Sequence, residues 1–350
     1  MNPIYFSKKL LAWFDQHGRK HLPWQINKTP YRVWVSEIML QQTQVSTATS
    51  YFQRFTQQLP DITSLAQAPE DEVLHLWSGL GYYSRARNLH RSAKVIKQEF
   101  NGELPADLAL LQQLPGIGRS TAGAILASAF NQQVSILDGN VKRVLTRLHA
   151  ITEWPGKKSV ENQLWQLADD YTPSHRTADY TQAIMDFGAT LCTPSKPRCH
   201  DCPFSEDCIA YQQQLTAIIP QKKATVILPI RKVTWLVLRY NDQLLLKKRP
   251  PAGIWGGLWS LPEVPEQVGQ SSIRQHCRQH WQIAITDLQP QPAFRHTFSH
   301  FHLDIFPVMI SLTKLPRKIM EDEQQVWYKL HNPQPLGMPA PVQSLLRSLP

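Results

Sequence analysis

Two carboxylates and four clustered cysteines carry the chemistry that this sequence could perform. Glu37 lies in VWVSEIML, with apolar neighbours on nearly every side. A carboxyl in such surroundings is desolvated, which favours its neutral form, and an acid still protonated near neutral pH can act as a general acid. Asp138 stands between an apolar run, Val134 to Leu137, and the helical pattern GNVKRVLTRL. That is an N-cap position, where backbone N–H groups and the helix dipole favour the charged form. One acid kept neutral and one kept ionised is the division of labour that cleaves a glycosidic bond. Each residue has a plainer reading as well: Glu37 as the buried partner of an arginine, Asp138 as a helix cap alone. Their separation by 101 in residue number leaves their convergence to the fold.

Cys192, Cys199, Cys202 and Cys208 follow one another as C-x6-C-x2-C-x5-C. Four thiolates this close suit either a tetrahedral zinc or an iron–sulfur cube. Structural zinc usually pairs two CxxC knuckles, and only one is present, so the spacing favours a [4Fe–4S] cluster. Disulfides are the weaker alternative. Cys277 stands far away and is expected to be a small core residue. Lys196, Arg198 and His200 decorate the first two ligands. A metal-pinned loop carrying cations makes a rigid phosphate contact, so the cluster reads as structural.

These groups need elements to hold them. In LQQLPGIGRSTAGAILASAF (111–130) a helical run ends at Leu114, Pro115-Gly116-Ile117-Gly118 forms a tight turn, and a helix of small residues follows. Glycines let the backbone approach a partner closely, and the unpaired N–H groups of the second helix suit a phosphate. Hydrophobic periodicity predicts one amphipathic helix in 1–30, with Phe6, Leu10, Leu11 and Phe14 on one side and Gly18 closing it. It predicts one or two helices in 31–58, and others over 70–81, 84–99, 106–113, 140–150, 159–170 and 175–190. Nothing before Cys192 alternates with period two for long, so 1–215 reads as an all-α domain. Two prolines and a lysine pair mark 216–230 as a linker. TWLVLRY, QLLLKKR, FSHFHLDIFPVMI and QVWYKL then read as strands and IRQHCRQHW as a helix, giving a separate α+β domain over 231–350.

The net charge of +10 is uneven: 216–350 holds 16 Lys and Arg against 8 Asp and Glu. That balance favours a polyanionic partner. No apolar run is long enough to span a bilayer, so no membrane partner is expected. The first twenty residues carry charges inside their apolar stretch and lack a small-residue cleavage site, so a signal peptide is not expected and a cytoplasmic protein is.

LPGIG followed by a helix, then LDGNVKR, then the cysteine spacing, resembles the helix-hairpin-helix DNA glycosylases with an iron–sulfur cluster. SEIMLQQTQV (36–45) and LWSGLGYYSRARNLH (76–90) are similar to the MutY-type family within them, which removes adenine mispaired with 8-oxoguanine. The resemblance implies a multidomain fold. An all-α helix-hairpin-helix domain over 1–215 would comprise a six-helix module near 30–134 and an iron–sulfur module of 1–29 plus 135–215. A nudix-like domain would follow over 231–350. It implies one [4Fe–4S] cluster, a monomer, and double-stranded DNA with 8-oxoguanine:adenine or guanine:adenine mispairs as partner, met on the bacterial nucleoid. Glu37 would protonate adenine, Asp138 would stabilise the oxocarbenium-like sugar, and Asn140 would position these groups. Ser120 stands where endonuclease III uses a lysine, which argues against the alternative, a bifunctional glycosylase/lyase. Gln41, Gln42, Thr43 and Tyr82 would occupy the gap left by the extruded base. Leu114, Gly116, Gly118 and Lys142 would meet the backbone, and Trp24 would stack on the adenine. The nudix box REx2EExG is missing from GGLWSLPEVPEQVGQSSIRQHCRQH. The C-terminal domain would therefore recognise 8-oxoguanine without hydrolysis, through Phe298, Ser299 and His300.

Overall fold

The computed structural model describes residues 1–223, 227–285, 287–315 and 323–349; of the expected linker, 224–226 lie outside them. The chain forms two compact units, Met1–Gln67 with Asn88–Thr225, and Ala68–Arg87 with Val226–Pro350. The contacts thus group 68–87 with the C-terminal sheet, a division that sequence order conceals.

The first unit is helical. Helix α1 (Pro3–His17) starts where the Asn2 side chain accepts from the Ile4 and Tyr5 N–H groups at 2.9 and 3.2 Å, with Pro3 at the first turn. Helix α2 (Pro30–Leu40) starts the same way, with Thr29 accepting from Arg32 N at 3.2 Å. Helices α3 (Val45–Gln58) and α4 (Ile62–Gln67) follow; α4 is too short to show a period and was not anticipated. Helix α5 (Glu70–Leu76) opens the 68–87 segment and stops four residues before Leu80, after which the chain turns through 77–83. Helix α6 (Ser84–Glu99) leads to α7 (Leu108–Gln113), α8 (Arg119–Phe130), α9 (Gly139–Leu148), α10 (Lys158–Tyr171), α11 (Thr177–Thr190) and the short α12 (Ile209–Gln212). Helix α11 packs on α1, α8 and α9, and α2 packs on α8. Phe6, Leu10, Val144, Leu145, Leu164, Phe187 and Phe204 meet in their core.

Two glycines let this unit close. Gly116 has φ +82°, and a Cβ there would lie 2.8 Å from the Asn88 Cβ, so the hairpin turn admits no side chain. At Gly123 a Cβ would lie 2.3 Å from the Ser135 carbonyl oxygen. The small residues of α8 therefore let the extended run 134–137 lie directly on that helix. The run pairs with no strand.

The second unit is built on a mixed sheet. Strands β1 (Ile230–Tyr240), β2 (Gln243–Lys248), β3 (Trp259–Ser260), β4 (Glu263–Pro265), β5 (Gln289–Pro290), β6 (Phe294–Thr297), β7 (His302–Ser311) and β8 (Gln325–Lys329) join in the order β3-β2-β1-β7-β5, with β4 on β1, β6 on β7 and β8 on β2. The long pair β1 and β7 is parallel, in register from Ile230↔His302 to Arg239↔Ser311. Helix α13 (Gln270–Trp281) presents Ile273, Cys277 and Trp281 to Leu236, Leu238, Leu245 and Ile310 on the sheet, so Cys277 is a core residue. Helix α14 (Ala340–Ser348) ends the described chain. The FSH tripeptide, expected at the start of a strand, is a turn between β6 and β7: the Phe298 N–H donates to the Phe301 carbonyl at 2.9 Å.

Candidate active site

Glu37 and Asp138 face one pocket of about 560 Å³ in the first unit, together with Trp24, Gln41, Thr43, Ser120 and Asn140. Helix α2 is buried on almost every face, through Val33, Trp34, Val35, Ser36, Ile38 and Met39, and it holds Glu37 at the pocket wall. Solvent reaches part of the residue through the pocket, while the carboxyl itself is enclosed. Its pKa is pushed up to about 7, first by burial and then by the charge of Asp138.

Asp138 caps α9 as expected, its Oδ1 accepting from Val141 N at 2.8 Å and its Oδ2 from the Asn140 amide at 3.0 Å. The expected consequence needs correction. Burial raises this carboxyl above its ordinary value, and the bonds from Val141 and Asn140 and the charge of Arg143 offset that only in part. A cap donates to a carboxylate, yet it also carries the group out of water. Asp138 has the donors and the nearby cation that favour its charged form, and its charge adds to the burial that raises Glu37.

Ser120 does not point freely at a substrate; its Oγ accepts from Leu137 N at 3.0 Å and ties α8 to the run that ends in Asp138. Trp24 is 4% exposed and packs edge-on to Phe52 at 5.5 Å, so it is a core residue with a face on the pocket. Gln41 donates to Thr121 Oγ1 at 3.3 Å, and Gln42 is exposed with φ +56°. Leu114 is buried in the hairpin, and a Cβ at Gly118 would meet nothing within 4 Å, so that face of the turn is open. Lys142 is paired with Glu161 at 2.7 Å. Tyr82 lies in the other unit, 49% exposed with φ +48°. So do Phe298, which stacks on Phe301 at 4.6 Å, and Ser299 and His300, both exposed.

Sequence reasoning missed three residues. Arg19 and Gln182 also line the pocket and are joined through Asp186, which is fully buried. The Asp186 carboxylate accepts from the Arg19 backbone at 2.8 Å, from its guanidinium at 2.7 and 2.9 Å, and from Gln182 at 2.7 Å. The third, Arg143, is 8% exposed. It donates to Asn140 Oδ1 and the Cys192 carbonyl at 2.8 Å each, and to the Gly188 carbonyl at 2.7 Å. Arg147, one turn on, donates to the Thr193 and Pro194 carbonyls at 2.8 and 3.1 Å and to Cys192 Sγ at 3.4 Å. The available signal was two arginines four apart on the apolar face of α9, where buried cations demand acceptors.

The four cysteines fit a polynuclear group. Cys192, Cys202 and Cys208 pack against the helical core. Burial first, and the charge of the neighbouring thiols with it, raises Cys199, Cys202 (to about 12) and Cys208. Four thiols within 17 positions are the donor set that an iron–sulfur cluster takes.

Known proteins agree with this architecture. Residues 35–170 match the HhH-GPD superfamily of base excision DNA repair proteins, 192–208 the iron–sulfur binding domain of endonuclease III, and 233–348 the NUDIX domain. A solved thermostable thymine-DNA glycosylase is similar over 60% of this chain and 97% of its own, at 27% identity and TM-score 0.53. A solved endonuclease III–DNA complex shares the fold at 21% identity and TM-score 0.51, over 61% of this chain and 96% of its own. No described helix is long and apolar enough to cross a membrane. The adenine DNA glycosylase of Buchnera aphidicola (subsp. Acyrthosiphon pisum, strain APS) is 41% identical over 99% of this chain and 98% of its own. The human one is 37% identical over 85% of this chain and 65% of its own. On this likeness along its whole length, the chain belongs to the adenine DNA glycosylase family.

Proposed function

We propose that the enzyme hydrolyses the N-glycosidic bond of adenine mispaired with 8-oxoguanine or guanine in double-stranded DNA. The observation that carries this reading is the meeting of Glu37 and Asp138 in one pocket, where burial and the charge of Asp138 raise the Glu37 carboxyl. Adenine leaves the duplex, because the enclosed carboxyls of Glu37 and Asp138 cannot reach the base and its sugar carbon within the stack, and enters the pocket beside Trp24. Glu37 donates its proton to N7, so the base departs without building up negative charge. Asp138 stabilises the positive charge that develops on the sugar, and water completes the hydrolysis. Asn140 holds the Asp138 carboxylate in place, and Ser120 fixes the backbone that carries it.

Cleavage without strand scission fits the same pocket. A Schiff base needs an amine, and no lysine is among the described residues lining it. Leu114, Gly116 and the open Gly118 form the turn that meets the DNA backbone; Lys142 shares its charge between Glu161 and a phosphate. Gln41, Gln42 and Thr43 face the orphaned base. In the second unit Tyr82 wedges the stack, and Phe298, Ser299 and His300 read the oxidised guanine. Cys192, Cys199, Cys202 and Cys208 would hold one [4Fe–4S] cluster, which pins the 192–208 loop and supplies no step of the hydrolysis. The enzyme acts as a monomer in the bacterial cytoplasm, on the nucleoid.

The test is a duplex carrying adenine opposite 8-oxoguanine, incubated with the protein and then treated with alkali. Strand breaks at the adenine are expected, and intact strands would sink the reading. Glu37→Gln and Asp138→Asn should each abolish the breaks while leaving DNA binding.

A further inference from the structure

Asp71 uses both oxygens of its carboxylate to hold one segment of the chain onto the C-terminal sheet. It lies in the first turn of α5. Its Oδ2 pairs with Lys248 Nζ at 3.0 Å, and its Oδ1 accepts from the Trp259 indole N–H at 3.2 Å. Lys248 and Trp259 are cross-strand neighbours on β2 and β3, so one carboxylate bridges a pair already set by the sheet register. The Asp71 and Lys248 side chains are 28% and 25% exposed, so the pair is partly withdrawn from water and less screened than a surface ion pair.

The rest of the segment is fastened by backbone contacts. Ser78 Oγ accepts from Met338 N at 3.3 Å, Tyr83 Oη donates to the Met338 carbonyl at 3.0 Å, and Arg87 donates to the Gly256 carbonyl. Between these points lies Tyr82, held in the left-handed region at φ +48°. Tyr82 and Arg87 from the segment, and Trp255, His296, Phe298 and Ser299 from the sheet side, line one pocket of about 690 Å³. Trp255 supports it from within, its ring 5.2 Å from that of Phe298 and 5.4 Å from that of His296. Tyr82 and Phe298 are 216 positions apart in the chain. They share a pocket only while 68–87 stays docked.

We infer that Asp71 is a positioning residue for lesion discrimination: it docks the Tyr82 segment so that Tyr82 and the 298–300 turn act on the same base. This rests on the reading of that turn as the site for the oxidised guanine. Asp71 belongs to the second unit and the glycosidic chemistry to the first, so losing the clamp weakens selection of the partner base and spares cleavage.

The experiment compares single-turnover adenine release by the full-length protein from two duplexes, adenine opposite 8-oxoguanine and adenine opposite guanine. In Asp71→Ala the rate ratio between them should fall about tenfold, because a misplacement of an ångström is enough to lose such a contact. The rate opposite guanine should stay within about twofold. The exchange Asp71→Lys with Lys248→Asp restores the ion pair though not the bond from Trp259, and should recover part of the ratio, which general damage to α5 would not allow. An unchanged ratio in Asp71→Ala, a parallel fall of both rates, or no recovery in the exchange would each overturn the inference. A parent protein with no preference between the duplexes overturns the underlying reading instead. A preference lost in Phe298→Ala but kept in Asp71→Ala overturns the inference alone.

Discussion

Replacing Glu37 by glutamine gives a measurement of the electrostatics that needs no substrate. In the folded protein the Glu37 carboxyl titrates near 7, against 4.5 for the ordinary side chain. At about 1.36 kcal/mol per pH unit that difference is worth roughly 3 kcal/mol. The sign follows from the fold binding the proton more tightly than the unfolded chain. Below about pH 4.5 both states are protonated and nothing is lost. As pH rises from 4.5 to 7 the unfolded chain ionises while the folded site keeps its proton, so stability falls, and the loss is complete above 7. Glutamine stays neutral throughout and keeps nearly the same shape. The variant should match the parent near pH 4.5 and be more stable at pH 8 by about 2–3 kcal/mol, the lower figure allowing for solvent in the pocket. For a unit of this size that is roughly 5–10 °C in melting temperature. Melting curves of both proteins at pH 4.5, 6, 7 and 8, followed by circular dichroism, read it directly. A stability gap that does not widen with pH would refute burial as the source of the raised pKa, and with it the basis for Glu37 as a general acid. In kinetics the same proton should appear as a falling limb of kcat/KM above about pH 7.

Three further outcomes follow from the geometry. Gly116→Ala forces a Cβ to 2.8 Å from Asn88 at φ +82°, and should cost about 2 kcal/mol of stability and weaken binding to undamaged duplex in a salt-dependent titration. Arg143→Met removes the guanidinium that donates to the Gly188 carbonyl and the Asn140 amide oxygen, and leaves the Cys192 carbonyl only the longer bond from Arg147 at 3.4 Å; it should destabilise the helical unit by about 3 kcal/mol in urea while lowering single-turnover cleavage. Cys202→Ala should lower iron and acid-labile sulfide per chain and the cluster's visible absorbance, and thermal stability should fall with them; unchanged iron would exclude Cys202 from the ligand set.

The chemistry-bearing residues could be read in the chain because their signals are local. Four cysteines within seventeen positions, a Pro-Gly-x-Gly turn between helices, an aspartate ahead of a helical period and a glutamate inside an apolar run each announce themselves through their neighbours. The helices and the long strands were legible for the same reason, since amphipathic period and β-branched runs are short-range patterns. The six-residue α4 and the early end of α5 were not, because less than two turns leaves no period to detect.

What spans the chain needed the tertiary structure. Nothing local reveals that Glu37 and Asp138 share a pocket, or that Arg19 and Gln182 stand in its wall, held by Asp186. Nor does local pattern show that burial outweighs the helix cap at Asp138, since desolvation depends on what packs around a group and not on what precedes it. The same holds for residues 68–87, whose helical pattern assigns them to the all-α region while their contacts join them to the sheet. The sequence by itself determined which groups could do chemistry. Packing decided which of them meet and what charge each carries there, because both depend on distances that close only when the chain folds.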